Sequence, residues 1–480
     1  MVFTSIHYLF FFPVVAFLYY ALPYRFRWIW LLVASYYFYM CWKPEYAVLL
    51  LLTTMVDYFC ALQMGKSSSL RARRGFLMLS LASNLGMLFF FKYFNFFNNG
   101  IYQIAQQLNI FYAIPQLKVL LPVGISFYVF QSIGYTIDVY RGTREPEKHP
   151  GIFAVYVVFF PQLVAGPIER SGRLLPQFYE QHDFDYQRAV DGLKLALWGF
   201  FKKLVIADRL AIIVDPVYNS PHSFDGLSLV VATWLFAFQL FCDFSGYCDI
   251  AIGSAQILGF RLINNFNRPY FAKSISEFWR RWHISLSTWF RDYLYIPLGG
   301  NRTSKHRWYF NIFIVFMVSG LWHGANWTFL IWGCIHGFYM VAESATQGVR
   351  ERVMSFLHLP EDTLGGKLIR IAVTFNLVAF AWIFFRANSV EDAFYIATHL
   401  FNSQGASIFD GSTVRLNEII IATAGILVME TLHLLQRNMS LLAFVRARPA
   451  PLRWCIYYGA VTLVLVFAKT GSKAFIYFQF

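Results

Sequence analysis

The sequence predicts an all-α, polytopic integral membrane protein, and three observations predict it. Of its 480 residues 58% are hydrophobic and only 14% charged, far from the balance of a soluble domain. The apolar residues gather in runs of about 20, the length that crosses a bilayer as a helix. The lysines and arginines fall in short clusters between those runs, as they do in cytoplasmic loops. That placement gives the net charge of +14 a topological origin and argues against nucleic acid as a partner. Roughly ten to twelve transmembrane or re-entrant helices fit the chain, read as one membrane domain over residues 1–480 with a distinct tail at 470–480.

Apolar runs near 3–22, 27–42 and 45–64 open the chain. Met1 to Leu22 lacks a basic leading region and a small-residue cleavage site, so it is expected to remain as a span. Arg25 and Arg27 follow the first run, and Lys66, Arg71, Arg73 and Arg74 the third, which places both loops in the cytoplasm and the N-terminus outside. A span at Phe76–Phe97 leads to an uncharged polar segment, Asn98–Asn109, read as external; Val119–Val139 returns inward to the charged loop Arg141–His149. The segment Phe153–Gln177 carries Pro161, Gly166, Pro167 and Pro176 in and after a short apolar run. It reads as a re-entrant or broken helix, whose backbone must be satisfied by protein or a watery cavity. A plain interhelical loop is the alternative.

Ala189–Val214 and Leu227–Phe260 are long helical candidates, the second containing Asp243-Phe-Ser-Gly-Tyr-Cys-Asp249. Six positions separate the two carboxylates by ~240° on an unbroken helix, so they are not one acid/base pair and are read as hydrogen-bonding neighbouring helices. Ser274-Ile-Ser-Glu277 has capping-box spacing and opens a predicted amphipathic helix. On it Arg280, His283, Ser287 and Arg291 fall within ~80°, opposite Phe278, Trp282, Leu286, Trp289 and Tyr293. Such a helix lies along an interface and is commonly only a surface anchor. Its arginines could equally dock the phosphates of a cytosolic donor, with Arg280, Arg281 and Arg291 as the contacts.

The run Trp308–Phe338 holds His323 in its middle, within Ser319-Gly-Leu-Trp-His-Gly324, and a second imidazole at His336. An ionisable side chain at membrane depth is costly and marks either a functional site or a hydrogen-bonded core contact. Gly320 and Gly324 leave room for another backbone or a ligand. His336 lies ~220° from His323 on an ideal helix, and no spacing among His323, His336 and His433 specifies a metal. Beyond the polar stretch Glu343–Lys367 come a span at Ile369–Phe385, a short amphipathic segment near Val390–Phe401, and a span at Glu418–Leu435 with Glu430 and His433 as an internal polar pair. The basic loop Gln436–Arg453 starts the last span, Trp454–Lys469, in the cytoplasm, so the C-terminus emerges outside. Extended at ~3.3 Å per residue, the tail from Lys473 to Tyr477 reaches ~13 Å, close to half a ~30 Å hydrocarbon core, so it could fold back inward; an aromatic interfacial anchor is the alternative. The six cysteines, at 41, 60, 242, 248, 334 and 455, show no CxxC spacing and read as small core residues.

Glu277-Phe-Trp-Arg-Arg-Trp-His283, Ser285-Leu-Ser-Thr-Trp-Phe-Arg-Asp-Tyr293, Leu298-Gly-Gly-Asn-Arg302 and Ser319-Gly-Leu-Trp-His-Gly324 resemble motifs of the membrane-bound O-acyltransferases (MBOAT), in the branch of the bacterial alginate O-acetyltransferase membrane subunit. Leu121-Pro-Val-Gly-Ile-Ser-Phe127, Ala165-Gly-Pro-Ile168, Asp243-Phe-Ser-Gly-Tyr247 and Phe266-Asn-Arg-Pro-Tyr270 extend the resemblance almost end to end. It implies that His323 is the embedded catalytic histidine, that His283 is a second one nearer the cytoplasmic mouth, and that a central tunnel lets a cytosolic donor reach an external acceptor. The tail Phe475-Ile-Tyr-Phe-Gln-Phe480 resembles the C-terminal motif of the small partner in teichoic-acid D-alanylation, where the tyrosine is the proposed acyl carrier.

The reading that follows is an acetyl relay in a bacterial cytoplasmic (inner) membrane. Acetyl-CoA is the donor substrate, with no tightly bound cofactor, and His323 activates Tyr477. A periplasmic SGNH-type O-acetyltransferase passes the group to a polysaccharide, alginate or a similar exopolysaccharide. Peptidoglycan or cellulose as acceptor, direct acetylation of a sugar, and D-alanyl transfer from a carrier protein are the variants. A transporter with charges along a solute path is the reading from another class, although the inverted repeats common there are not visible.

Overall fold

The computed structural model describes residues 1–164, 166–356, 363–411, 414–436, 441–469 and 475. Helix dominates: among these residues the only β pairing is a single parallel bridge between Phe224 and Ala406. Six helices are long and apolar enough to cross a membrane: Tyr46–Lys66, Leu70–Gln107, Gly226–Ile257, Leu364–Arg386, Leu416–Leu435 and Ala450–Phe467. Shorter or more polar helices, including the pair that carries His323 and His336, complete the body. The chain gathers into two compact units, Met1–Leu193 with Ala251–Ile263 and Gly324–Asn326, and Lys194–Ile250 with Asn264–His323 and Trp327–Phe480.

In the first unit, Ser5 accepts the Tyr8 N–H to start Ile6–Ala21, and Ser69 accepts that of Ala72 to start Leu70–Leu88. That second helix runs on through a π-turn at Phe89–Tyr93 to Gln107. The uncharged polar segment Asn98–Asn109 is therefore mostly helical. Its amides hold the returning chain: Asn95 exchanges hydrogen bonds with both backbone groups of Leu117, at 2.8 and 2.9 Å, and Asn98 donates to the Ile114 carbonyl. The next helix begins at Ile125 rather than Val119, because Gly124 precedes it in a left-handed conformation (φ 76°). A Cβ at Gly124 would also lie 2.5 Å from the Leu163 carbonyl.

Two features of this unit satisfy polar groups internally. Asp57 is wholly buried and accepts from Ser80 Oγ (2.7 Å) and Asn84 Nδ2 (2.8 and 3.0 Å), joining three helices with Thr136. The segment after His149 is broken as expected, into Pro150–Val158 and Phe160–Leu163. Buried side chains supply the partners at the break. Ser35 Oγ accepts the Phe160 N–H at 3.1 Å, while Gln131 and Gln162 both donate to the Tyr156 carbonyl, at 2.6 and 2.8 Å. Protein atoms thus satisfy these backbone groups at the break.

The second unit contains the aromatic core. Lys305–His323 and Trp327–Ala345 form a tight helical hairpin whose seam is glycine: a Cβ at Gly320 would sit 2.3 Å from the Phe329 carbonyl oxygen, and one at Gly333 would sit 2.4 Å from that of Phe316. Around it pack Trp282, Trp332 and Trp382, all fully buried, with Trp332 stacked on Trp382 at 5.6 Å. A second glycine seam, Gly199 against Gly246, lets the π-turn Phe201–Ala207 approach Gly226–Ile257. Two consecutive lysines use that approach. Lys202 pairs with Asp249 at 2.7 Å, and Lys203 bridges Asp243 (2.7 Å) and Asp208 (2.8 Å). Asp243 and Asp249 thus serve different lysines, in keeping with their angular separation.

The structure corrects the predicted amphipathic helix. It is two short helices, Ile275–Arg281 and Ile284–Phe290, because Trp282 is extended and His283 is left-handed (φ 42°). The break rotates His283 out of the polar face it was expected to share with Arg280 and Arg291, and buries it completely.

Two stability predictions follow from these seams. Gly320→Ala is expected to cost about 3 kcal/mol or more, since backbone must move to admit the methyl, whereas Gly86→Ala, with nothing within 4 Å, should be neutral or slightly stabilising. Thermal melts in detergent compare the two. Lys203→Met leaves two carboxylates without their shared cation and should destabilise by about 3–5 kcal/mol, read from the same melts; an unchanged melting point would show that the pairs contribute nothing.

Candidate functional site

His323 is the last residue of Lys305–His323 and is 4% exposed. Its ring is boxed by aromatics: Trp322 at 4.9 Å, Trp332 edge-on at 5.0 Å and Phe385 at 5.3 Å. Phe329 packs on Phe385 at 5.0 Å and closes that wall. A helix C-terminus concentrates carbonyl oxygens and favours a developing positive charge, so an imidazole there is well placed to take a proton.

His283 is held from beneath by Asn265. The Asn265 side-chain oxygen lies 3.4 Å from His283 Nδ1 and accepts the Ser285 N–H at 3.1 Å, while the Asn265 carbonyl accepts the Ile284 N–H at 2.9 Å. These contacts stabilise a backbone conformation that a residue other than glycine adopts at a cost of about 1–2 kcal/mol. Phe244 packs edge-on against the His283 ring at 4.7 Å, and Trp322 at 6.0 Å. The indole of Trp322 therefore packs against both histidines, and the structure brings together the two that sequence singled out.

The third expected catalytic residue, Tyr477, lies outside the described residues. Its neighbour Phe475 is described: it is 2% exposed, stacked on Tyr247 at 4.7 Å and 5.8 Å from Phe244, the ring that contacts His283. Of the three arginines, Arg280 and Arg291 are exposed, the latter 2.8 Å from Asp292. Arg281 pairs with Glu277 one turn away and donates to the Arg268 carbonyl. Burial opposes ionisation of Glu277, but the Lys273 backbone N–H and the Arg281 guanidinium outweigh it and hold the carboxyl below its usual range.

His336 is a hydrogen-bonded core contact. It is wholly buried, accepts from Trp279 Nε1 through Nδ1 at 3.3 Å, and packs among Trp279, Trp332 and Phe278. His433 faces Glu430 at 3.5 Å, as the i,i+3 spacing suggested. Among the described residues no group of three or more His, Cys, Asp or Glu side chains is placed to hold a metal ion. Sequence reasoning missed Asn265 and Phe385, which come from a loop and a distant span with no periodic signal. It also passed over Lys202 and Lys203, although two lysines inside an apolar run are the natural complement of Asp243 and Asp249.

Comparison with known proteins agrees with this geometry. The profile of MBOAT, membrane-bound O-acyltransferase family, matches residues 149–353, which include both histidines. The "Probable alginate O-acetylase AlgI" of Azotobacter vinelandii is 39% identical over 430 residues, 88% of this chain and 82% of the relative. The "Peptidoglycan O-acetyltransferase" of Helicobacter pylori is 36% identical over 79% of this chain and 75% of its own. More distant is the "Teichoic acid D-alanyltransferase" of Streptococcus thermophilus, 28% identical over 55% of this chain and 68% of its own.

Proposed function

The chain belongs to the membrane-bound O-acyltransferase family and is an O-acyltransferase with several membrane-spanning helices; from that premise we propose that it carries acetyl groups from cytosolic acetyl-CoA across the inner membrane for O-acetylation of an extracytoplasmic polysaccharide, alginate or a similar exopolysaccharide. Membership of an acyltransferase family displaces the transporter reading. The observation that carries the proposal is the shared indole: one tryptophan packs against both His283 and His323, and the latter sits buried in an aromatic box. Acetyl is preferred to D-alanyl because the relatives named as acetylases are more similar, 39% and 36% identical against 28%.

In this reading the exposed Arg280 and Arg291 receive the donor's phosphates, while Arg281, held by Glu277, steadies the helix between them. The phenol of Tyr477 attacks the thioester carbonyl as His323 takes its proton. A free phenol, with a pKa near ~10, is a poor nucleophile at neutral pH, and a base within hydrogen-bond reach is worth about 10²–10⁴-fold. The C–S bond breaks, the coenzyme A thiolate recovers the proton from His323, and the tyrosine is left as an acetyl ester. The aryl ester is activated for transfer to a periplasmic SGNH-type O-acetyltransferase, which acetylates a sugar hydroxyl. Burial of Phe475 two residues before Tyr477 supports a tail that turns inward from a periplasmic C-terminus. The similarity to the Helicobacter pylori protein favours peptidoglycan as the second candidate acceptor, served by the same relay.

Purified protein incubated with isotopically labelled acetyl-CoA is expected to carry the label on Tyr477 by peptide mass spectrometry. His323→Ala should remove the label and slow coenzyme A release about 10²-fold or more. Tyr477→Phe should abolish polymer acetylation at an unchanged melting point. Full polymer acetylation by that variant would overturn the relay and leave direct transfer to a sugar.

A further inference from the structure

A groove of about 730 Å³ opens in the second unit, between the helices Trp327–Ala345, Gln347–Phe356 and Leu364–Arg386 and the start of Ile275–Arg281. Its walls are graded. Along Leu364–Arg386, Leu377, Val373 and Arg370 follow one another at helical spacing on one face. Along the opposite wall the order is Phe338, Ala342, Thr346 and Arg350. The charged residues come from the end of the first helix, the second helix and the start of the third, with Val349, Val353 and Ile369 beside them, while Phe338, Val373 and Leu377 make the other end apolar. From Arg370 to Leu377 the helix rises about 10 Å, the distance from a lipid phosphate well into its acyl chains.

The cationic end is built rather than incidental. Arg350 donates to the Glu343 carbonyl at 2.9 Å, and Arg370 to the Lys273 carbonyl at 3.3 Å, which positions both guanidinium groups. Of the two acidic residues in the groove, Glu343 has its carboxylate engaged by the N–H groups of Ile275 (2.6 Å) and Ser276 (3.3 Å), where it caps a helix. Glu351 accepts from Gln347 at 3.0 Å. Among the described lining residues the three cations Lys273, Arg350 and Arg370 outnumber these two carboxylates. At the apolar end, Phe338 and Val373 are 64% and 54% exposed, on a hairpin helix and a membrane-crossing helix.

We propose that this groove is a binding site for an anionic phospholipid, with the phosphate among Lys273, Arg350 and Arg370 and an acyl chain against Phe338, Val373 and Leu377. A soluble phosphate or nucleotide would use only the cationic end and leave the apolar wall uncovered. A phospholipid uses both, and basic pockets between helices at the cytoplasmic face select anionic headgroups. The proposal is independent of the acetyl relay.

The test is native mass spectrometry of the full chain released from nanodiscs of phosphatidylethanolamine and phosphatidylglycerol. The wild type is expected to retain one phosphatidylglycerol per chain. Arg350→Gln with Arg370→Gln should reduce that retention about tenfold and erase the preference over phosphatidylethanolamine, Arg370→Lys should keep most of it, and Val373→Trp should expel both lipids by filling the apolar end. Melting temperatures verify that each variant is folded. Equal retention by wild type and double variant would overturn the site, and so would mole-for-mole displacement of the lipid by acetyl-CoA, which would make the groove part of the donor path.

Discussion

A polar group at membrane depth has no water to turn to, and the molecule depends on meeting that constraint from within. Asp57 is satisfied by Ser80 and Asn84, and Lys202 and Lys203 by three aspartates. The lysine pairs require helices closer than large side chains allow, and the glycine seam at Gly199 and Gly246 gives the lysine-bearing turn its approach. Packing and electrostatics are one problem here: without the seam the ions would be unpaired, and unpaired ions of this kind cost several kcal/mol each.

The same constraint shapes the histidines differently. His283 is held by an asparagine and by a strained backbone, whereas aromatic rings wall His323. Aromatic walls hold an imidazole in place and keep water away.

Much of this was legible in the sequence, because membrane helices announce themselves by length and apolarity, and a histidine in an apolar run stands out. The broken helix after His149 was legible for a similar reason, since its prolines cannot continue a ladder. What failed was continuity. The face drawn through Arg280, His283, Ser287 and Arg291 assumed an unbroken helix, and nothing in Arg-Arg-Trp-His betrays a left-handed residue whose support comes from Asn265 in another segment. Asn98–Asn109 was legible only as an uncharged polar segment, while the asparagines there and at Asn95 hold a returning chain against a helix. In both cases the deciding partner is remote in sequence, beyond the reach of any local pattern.

The dipeptide Trp322-His323 carries a further consequence. Successive residues on a helix point about 100° apart, so His323 faces Trp332 and Phe385 while Trp322 faces His283. One helix end therefore carries His323 and the indole that packs on His283. Its register is fixed by Gly320, whose Cα lies so near the Phe329 carbonyl that even a methyl group would force the hairpin apart. A shift there would move the His323 ring within its box and the Trp322 indole against His283 at the same time. The glycine seam thus bears on His323 directly and on His283 through the Trp322 indole, although the glycine itself lies outside the aromatic box.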